Sequence, residues 1–171
     1  MNKLRRFCII GAMITITLGI VSHFVYKWTG NNFFVGLFFP VNESTWEHLK
    51  LLFFPMLAYA LLGGKRIEEE YPCIYNAMFS GILVGLLLIP TLFYTYSGIL
   101  GYHVAWANIA AYVLSVLVAY VVVYRMALNC KNADSKVLRI AMYVLVAAFM
   151  IFTVYPPEIG LFQVPPPEGR R

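Results

Sequence analysis

Phe7-Cys-Ile-Ile-Gly-Ala-Met-Ile-Thr-Ile-Thr-Leu-Gly-Ile-Val-Ser-His-Phe-Val-Tyr26 decides the fold. The run holds no Asp, Glu, Lys or Arg, and His23 is its one group that titrates near neutral pH. Twenty helical residues at 1.5 Å each cover about 30 Å, the thickness of a bilayer's hydrocarbon core. The preceding Met-Asn-Lys-Leu-Arg-Arg resembles the positive region of a signal peptide. The apolar run is longer than a signal core, however, and lacks a small-x-small cleavage site, so it reads as a retained first helix.

Composition extends this reading to the whole chain. The 171 residues are 61% hydrophobic and only 12% charged, where a soluble domain is nearer 25% charged. Mean hydropathy is +0.73. A soluble fold this apolar could not cover its own surface, so lipid must. The expected fold class is all-α: one transmembrane domain over residues 1–171, an integral membrane bundle of about five helices. The net charge of +5 does not point to nucleic acid, because the basic residues are scattered at the ends of apolar runs.

The helices are expected at about 7–26, 44–62, 72–96, 103–124 and 137–155. Ser44-Thr-Trp-Glu47 fits a capping box at the start of the second, with the glutamate reaching back to the cap. Its charge-free part is only Leu51–Leu62, so this helix spans only if Trp46–Lys50 belong to it. Pro55 and Pro90 are expected to kink the second and third helices. Phe33–Val41 is too short to span, and reads as an interfacial or re-entrant segment before the second helix. The proline-rich tail, 156–171, is expected to be extended or irregular. Small residues recur at four-residue steps: Gly11, Thr15 and Gly19; Ala77, Gly81 and Gly85; Ala107, Ala111, Ser115 and Ala119. Such stripes let helices approach closely and read here as internal packing.

Orientation follows from the basic residues. With the N-terminus inside, Lys3, Arg5, Arg6, Lys65, Arg66, Arg125, Lys131, Lys136 and Arg139 are cytoplasmic, and Lys27, Lys50, Arg170 and Arg171 are outside. Nine against four favours a cytoplasmic N-terminus and an outer C-terminus. Cys8, Cys73 and Cys130 then fall on or near the reducing side. An odd, scattered count does not read as a disulfide framework, so free thiols are expected.

The same topology places His23, His48 and His103 at the outer helix ends, with Glu43 and Glu47 flanking His48. Ionisable groups at membrane depth are costly and tend to be functional. Imidazole and carboxylate bind zinc-like metals and carry protons near neutral pH. The candidate ligand-binding residues are Glu43, Trp46, Glu47, His48 and His103; for a metal, Glu47, His48 and His103. A plainer account stands beside this one. Glu47 caps a helix or pairs with Lys50, and polar residues gather at helix ends without any ligand. Glu47 and His48 are adjacent and so point about 100° apart on a helix. No HEXXH, Walker, GxGxxG or GxSxG motif is present. No cofactor or catalytic residue is assigned.

Pro40-Val-Asn-Glu-Ser-Thr-Trp-Glu-His-Leu-Lys50, continuing to Pro55, and Tyr155-Pro-Pro-Glu-Ile-Gly-Leu-Phe162 resemble a family of small bacterial multi-pass membrane proteins of unknown function. The resemblance implies a bacterial inner membrane and supplies no activity. The family's tail continues after Leu-Phe with Asp-Pro, where this chain has Gln163-Val164-Pro165, so an acidic role at that point does not carry over.

Three functional classes remain open. The first is a protein that binds a small ligand or ion at its outer face. The second is an intramembrane metal-assisted or acid–base enzyme. The third is a structural or regulatory subunit docking a membrane partner through Trp46 and the tail. The bilayer is the expected partner, with a homo-oligomer or a membrane protein as further candidates.

Overall fold

The computed structural model describes residues 2–130 and 135–166. Lys131, Arg170, Arg171 and the last part of the expected tail lie outside these residues. Six α-helices follow one another: α1 (Lys3–Trp28), α2 (Phe33–Gly36), α3 (Thr45–Gly63), α4 (Ile74–Leu100), α5 (Ala105–Leu128) and α6 (Lys136–Val154). A single 3-10 turn, Gly64–Arg66, follows α3, and no strand occurs among the described residues. The long helices run alternately up and down.

Helices α1, α4, α5 and α6 are long and apolar enough to cross a membrane. Helix α3 is the fifth long helix, but its first turns carry Glu47, His48 and Lys50. It is the inner helix of the bundle, in contact with α1, α4 and α6. Leu52, Phe53, Met56 and Ala60 on α3 are completely buried. The outward faces of the surrounding helices expose large apolar side chains, among them Met13, Leu87, Ile109 and Ile140, as contact with lipid requires.

The small-residue stripes pack inward. Thr15 is buried and its hydroxyl pairs with the Tyr120 hydroxyl at 3.0 Å. On α5, Tyr112 shares its one hydroxyl proton between the Thr15 carbonyl at 2.8 Å and the Leu51 carbonyl at 3.2 Å. Leu51 is four residues before Pro55, so it is the carbonyl that the proline leaves without its helical donor. A tyrosine from a neighbouring helix supplies the missing hydrogen bond, and α3 continues through Pro55. Asn108, on the same strip of α5, accepts from the Tyr96 hydroxyl, while Ser115 bonds back to Ala111 within its own helix.

The end of α1 leads into the segment before α3. Gly30 and Asn31 take left-handed φ values of 68° and 60°, a conformation glycine and asparagine tolerate best. Asn32 then caps the single turn of α2 by accepting from Phe34 and Val35 N–H. The chain returns through Pro40 to Ser44, whose hydroxyl accepts from Glu47 N–H as the capping reading expects. The reciprocal half of the box does not form. The Glu47 carboxylate turns inward to Val41 N–H and Lys50, and the Ser44 N–H is satisfied by Asn42.

The free-thiol expectation fails for two cysteines. Cys73, at the start of α4, and Cys130, just past α5, form a disulfide with their Cα atoms 5.6 Å apart. Helices α4 and α5 form an antiparallel hairpin of similar lengths, so its two open ends meet. Only Cys8 of the three stays free, and it is buried. The disulfide lies at the same end as Lys3, which pairs with Glu70 at 3.0 Å. That hydrogen bond holds the Glu70 carboxyl below the usual carboxylate range.

Candidate functional site

At the opposite end of the bundle, three segments far apart in sequence meet. His23 comes from the last turns of α1, Glu43 from the loop before α3, and His48 from the first turn of α3. Antiparallel packing of α1 against α3 sets the two imidazoles side by side, with ring centroids 5.3 Å apart. The Glu43 carboxylate lies between them. One of its oxygens is 3.3 Å from His23 Nε2 and 3.5 Å from His48 Nε2. All three candidate ligand atoms fall within 4.8 Å of one another. The histidines are half-buried and Glu43 is exposed.

The tautomer of His48 follows from its other nitrogen. Nδ1 is 2.9 Å from the Ser44 carbonyl, which can only accept, so Nδ1 carries the proton and donates. In a neutral ring Nε2 is then a bare lone pair facing the carboxylate.

A cavity of about 720 Å³ opens beside this cluster. His23, Glu43 and His48 line one part of it, and His103, Asn108 and Tyr112 another. The remaining wall is largely apolar, with Ile20, Phe24, Leu51, Ile89, Phe93 and Ile109. His103 Nε2 is held by the Pro166 carbonyl at 2.5 Å, and its Nδ1 is buried without a hydrogen-bond partner. By the same logic as for His48, that Nδ1 is the lone-pair nitrogen of a neutral ring.

Glu47 and Trp46 lie away from this cluster. Glu47 is 2% exposed and Lys50 1%, and the two pair at 2.7 Å. Lys50 Nζ also donates to the Gly36 carbonyl at 2.9 Å and the Thr153 hydroxyl at 2.6 Å. Glu47 accepts from Val41 N–H at 2.9 Å and lies 3.1 Å from the Thr153 hydroxyl. This buried pair therefore ties the α2 segment, α3 and α6 together. Trp46 packs its ring against Phe149, Phe152 and Phe162, and its backbone N–H donates to the Leu161 carbonyl at 2.9 Å. The tail consequently folds back over the start of α3.

His23 is the site residue absent from the sequence-derived set. Its signal was available: Gly11, Thr15 and Gly19 continue at the same four-residue step to His23. A residue on that stripe faces the neighbouring helices rather than lipid.

Fold and site together define a helical membrane bundle with a histidine–carboxylate cluster beside a largely apolar, partly open cavity. The chain belongs to a family of unknown function, DUF6512, whose profile matches residues 1–165. No curated protein and no solved structure matches it.

Proposed function

We propose that this chain binds a small, mostly apolar ligand with one polar end in the cavity beside His23, Glu43 and His48. The cavity carries the reading. Its volume falls within the range of roughly 300–1,000 Å³ typical of ligand sites, and it combines apolar walls with a few convergent polar groups. Trp46 already packs against Phe162, and its backbone N–H is taken by Leu161, so this part of the tail is engaged within the chain itself.

A fluorescent medium-chain fatty acid, titrated into protein in lipid nanodiscs, tests this. Saturable binding is expected. Ala105→Trp, at an exposed position on the cavity wall, should fill part of that space and weaken binding by about tenfold, equivalent to roughly 1.4 kcal/mol. Uptake that is linear in probe, or equal in wild type and variant, would be mere partition into lipid and would end the proposal.

We also infer an inner-membrane location in a bacterium, with the N-terminus cytoplasmic and the histidine mouth outward. The basic residues support this. Lys50 drops out of the outer set because it is buried in its ion pair, which sharpens the asymmetry. The reading places Cys73 and Cys130 on the reducing side, where a disulfide does not ordinarily persist. In intact cells that pair is therefore expected to be reduced rather than bridged as in the structure: a membrane-permeant maleimide should label both cysteines, while an impermeant one added outside should label neither. A pair that stays bridged and resists the permeant reagent would put that end outside and overturn the orientation.

A further inference from the structure

We propose that His23, Glu43 and His48 hold a zinc-class divalent cation with a coordination position open to the cavity. The inference deepens the ligand-binding reading and rests on it for the space the ion faces. The ligand's polar end would then be an oxygen or nitrogen that such an ion binds.

Three observations carry it. The first is distance. Tetrahedral ligands at about 2.0–2.1 Å from zinc lie about 3.3 Å from each other. The two histidine–carboxylate separations are 3.3 and 3.5 Å, close to that value, and all three ligand atoms lie within 4.8 Å of one another, so an ion bound to the carboxylate would draw the two imidazoles in around it.

The second is the protonation of His48. Its Nδ1 donates to the Ser44 carbonyl, leaving a lone pair on Nε2 aimed at a carboxylate oxygen. Two electron-rich atoms that close form a favourable place for a cation, which both would attract. A backbone carbonyl on the far nitrogen is also the usual outer support of a metal-bound histidine, because it fixes both tautomer and ring orientation.

The third is the donor set. Two imidazoles and one carboxylate make up the three protein ligands of many zinc sites that keep a fourth position open. Imidazole suits zinc, copper and nickel rather than magnesium or calcium.

The test uses full-length protein purified without a polyhistidine tag. Zinc and cobalt(II) are titrated in, and bound metal is read by elemental mass spectrometry and by the visible spectrum of tetrahedral cobalt. About one equivalent should bind. Glu43→Gln and His23→Ala should each weaken binding roughly 100-fold or more, as loss of one of three ligands does. Both alter residues at least partly exposed, and an unchanged thermal transition checks that the fold survives. Glu158→Gln, exposed and outside both the cluster and the cavity lining, should leave metal affinity intact. Failure to bind metal, or equal binding by wild type and Glu43→Gln, would overturn the metal site and leave a shared proton. The fatty-acid titration separates the two readings. Probe binding without metal binding keeps the cavity reading and removes this one. Metal binding without probe binding keeps the metal site and removes the proposed occupant.

Discussion

Lys50→Met is expected to cost the bundle about 3–5 kcal/mol, the usual effect of removing one partner from a buried ion pair. The Glu47 carboxylate would stay buried at the start of α3 with only the Val41 N–H and the Thr153 hydroxyl to support it. The Gly36 carbonyl would lose its ammonium donor, and with it the tie between the α2 segment and α3. Denaturant unfolding in mixed micelles should show the loss, and limited proteolysis should reveal new cleavage within residues 30–43. The double change Glu47→Gln, Lys50→Met should recover most of the stability, because the uncompensated charge is gone while an amide can still accept from Val41. Equal instability of the single and double variants would mean that packing, not charge, is what Lys50 provides.

That pair also marks how far the sequence could be read. The four long apolar stretches were legible from run length, because a helix in lipid must satisfy its backbone internally and needs about twenty residues to do so, whereas the helix at Thr45–Gly63 was legible only by adding its charged first turns. Their ends were less legible. Helix α1 begins at Lys3 rather than Phe7, since the Asn2 side chain caps it and the charged turn remains helical beyond the apolar run. The ion pairing of Glu47 with Lys50 followed from their spacing, but its depth did not. Burial of a charged turn depends on the α2 segment and Thr153 closing over it, and these lie 14 and 103 residues from Lys50.

The site was legible in part for the same reason. Glu43 and His48 stood out as ionisable groups at a helix start. His23 joins them only through the antiparallel contact of α1 with α3, which hydropathy does not report. The disulfide escaped because cysteine counting ignores hairpins. Cys73 and Cys130 are 57 residues apart, yet they flank two helices of nearly equal length.

Gly19→Ala should be the most damaging single-methyl change on α1. The added Cβ would lie 1.9 Å from the Tyr112 hydroxyl oxygen and 2.7 Å from the Leu51 carbonyl oxygen. Neither can retreat cheaply. Tyr112 is 8% exposed, and its hydroxyl supplies the donor that Pro55 denies to Leu51. Overpacking a filled interior costs typically 1–3 kcal/mol, and leaving a buried carbonyl unsatisfied adds roughly 1–3 more. Gly19→Ala is therefore expected to lose about 2–5 kcal/mol by the sum of those terms. Because Tyr112 and Leu51 also line the cavity, probe binding should fall with stability. Adding Tyr112→Leu should remove the worse clash and restore only part of the loss. The Leu51 oxygen would still be too close to the new methyl, and its hydrogen bond would still be missing. Full rescue would show that the hydroxyl contact alone makes glycine necessary at position 19. No rescue would shift the cause to the backbone of α3, and would mean that the approach of α1 to Pro55 sets the shape of the cavity.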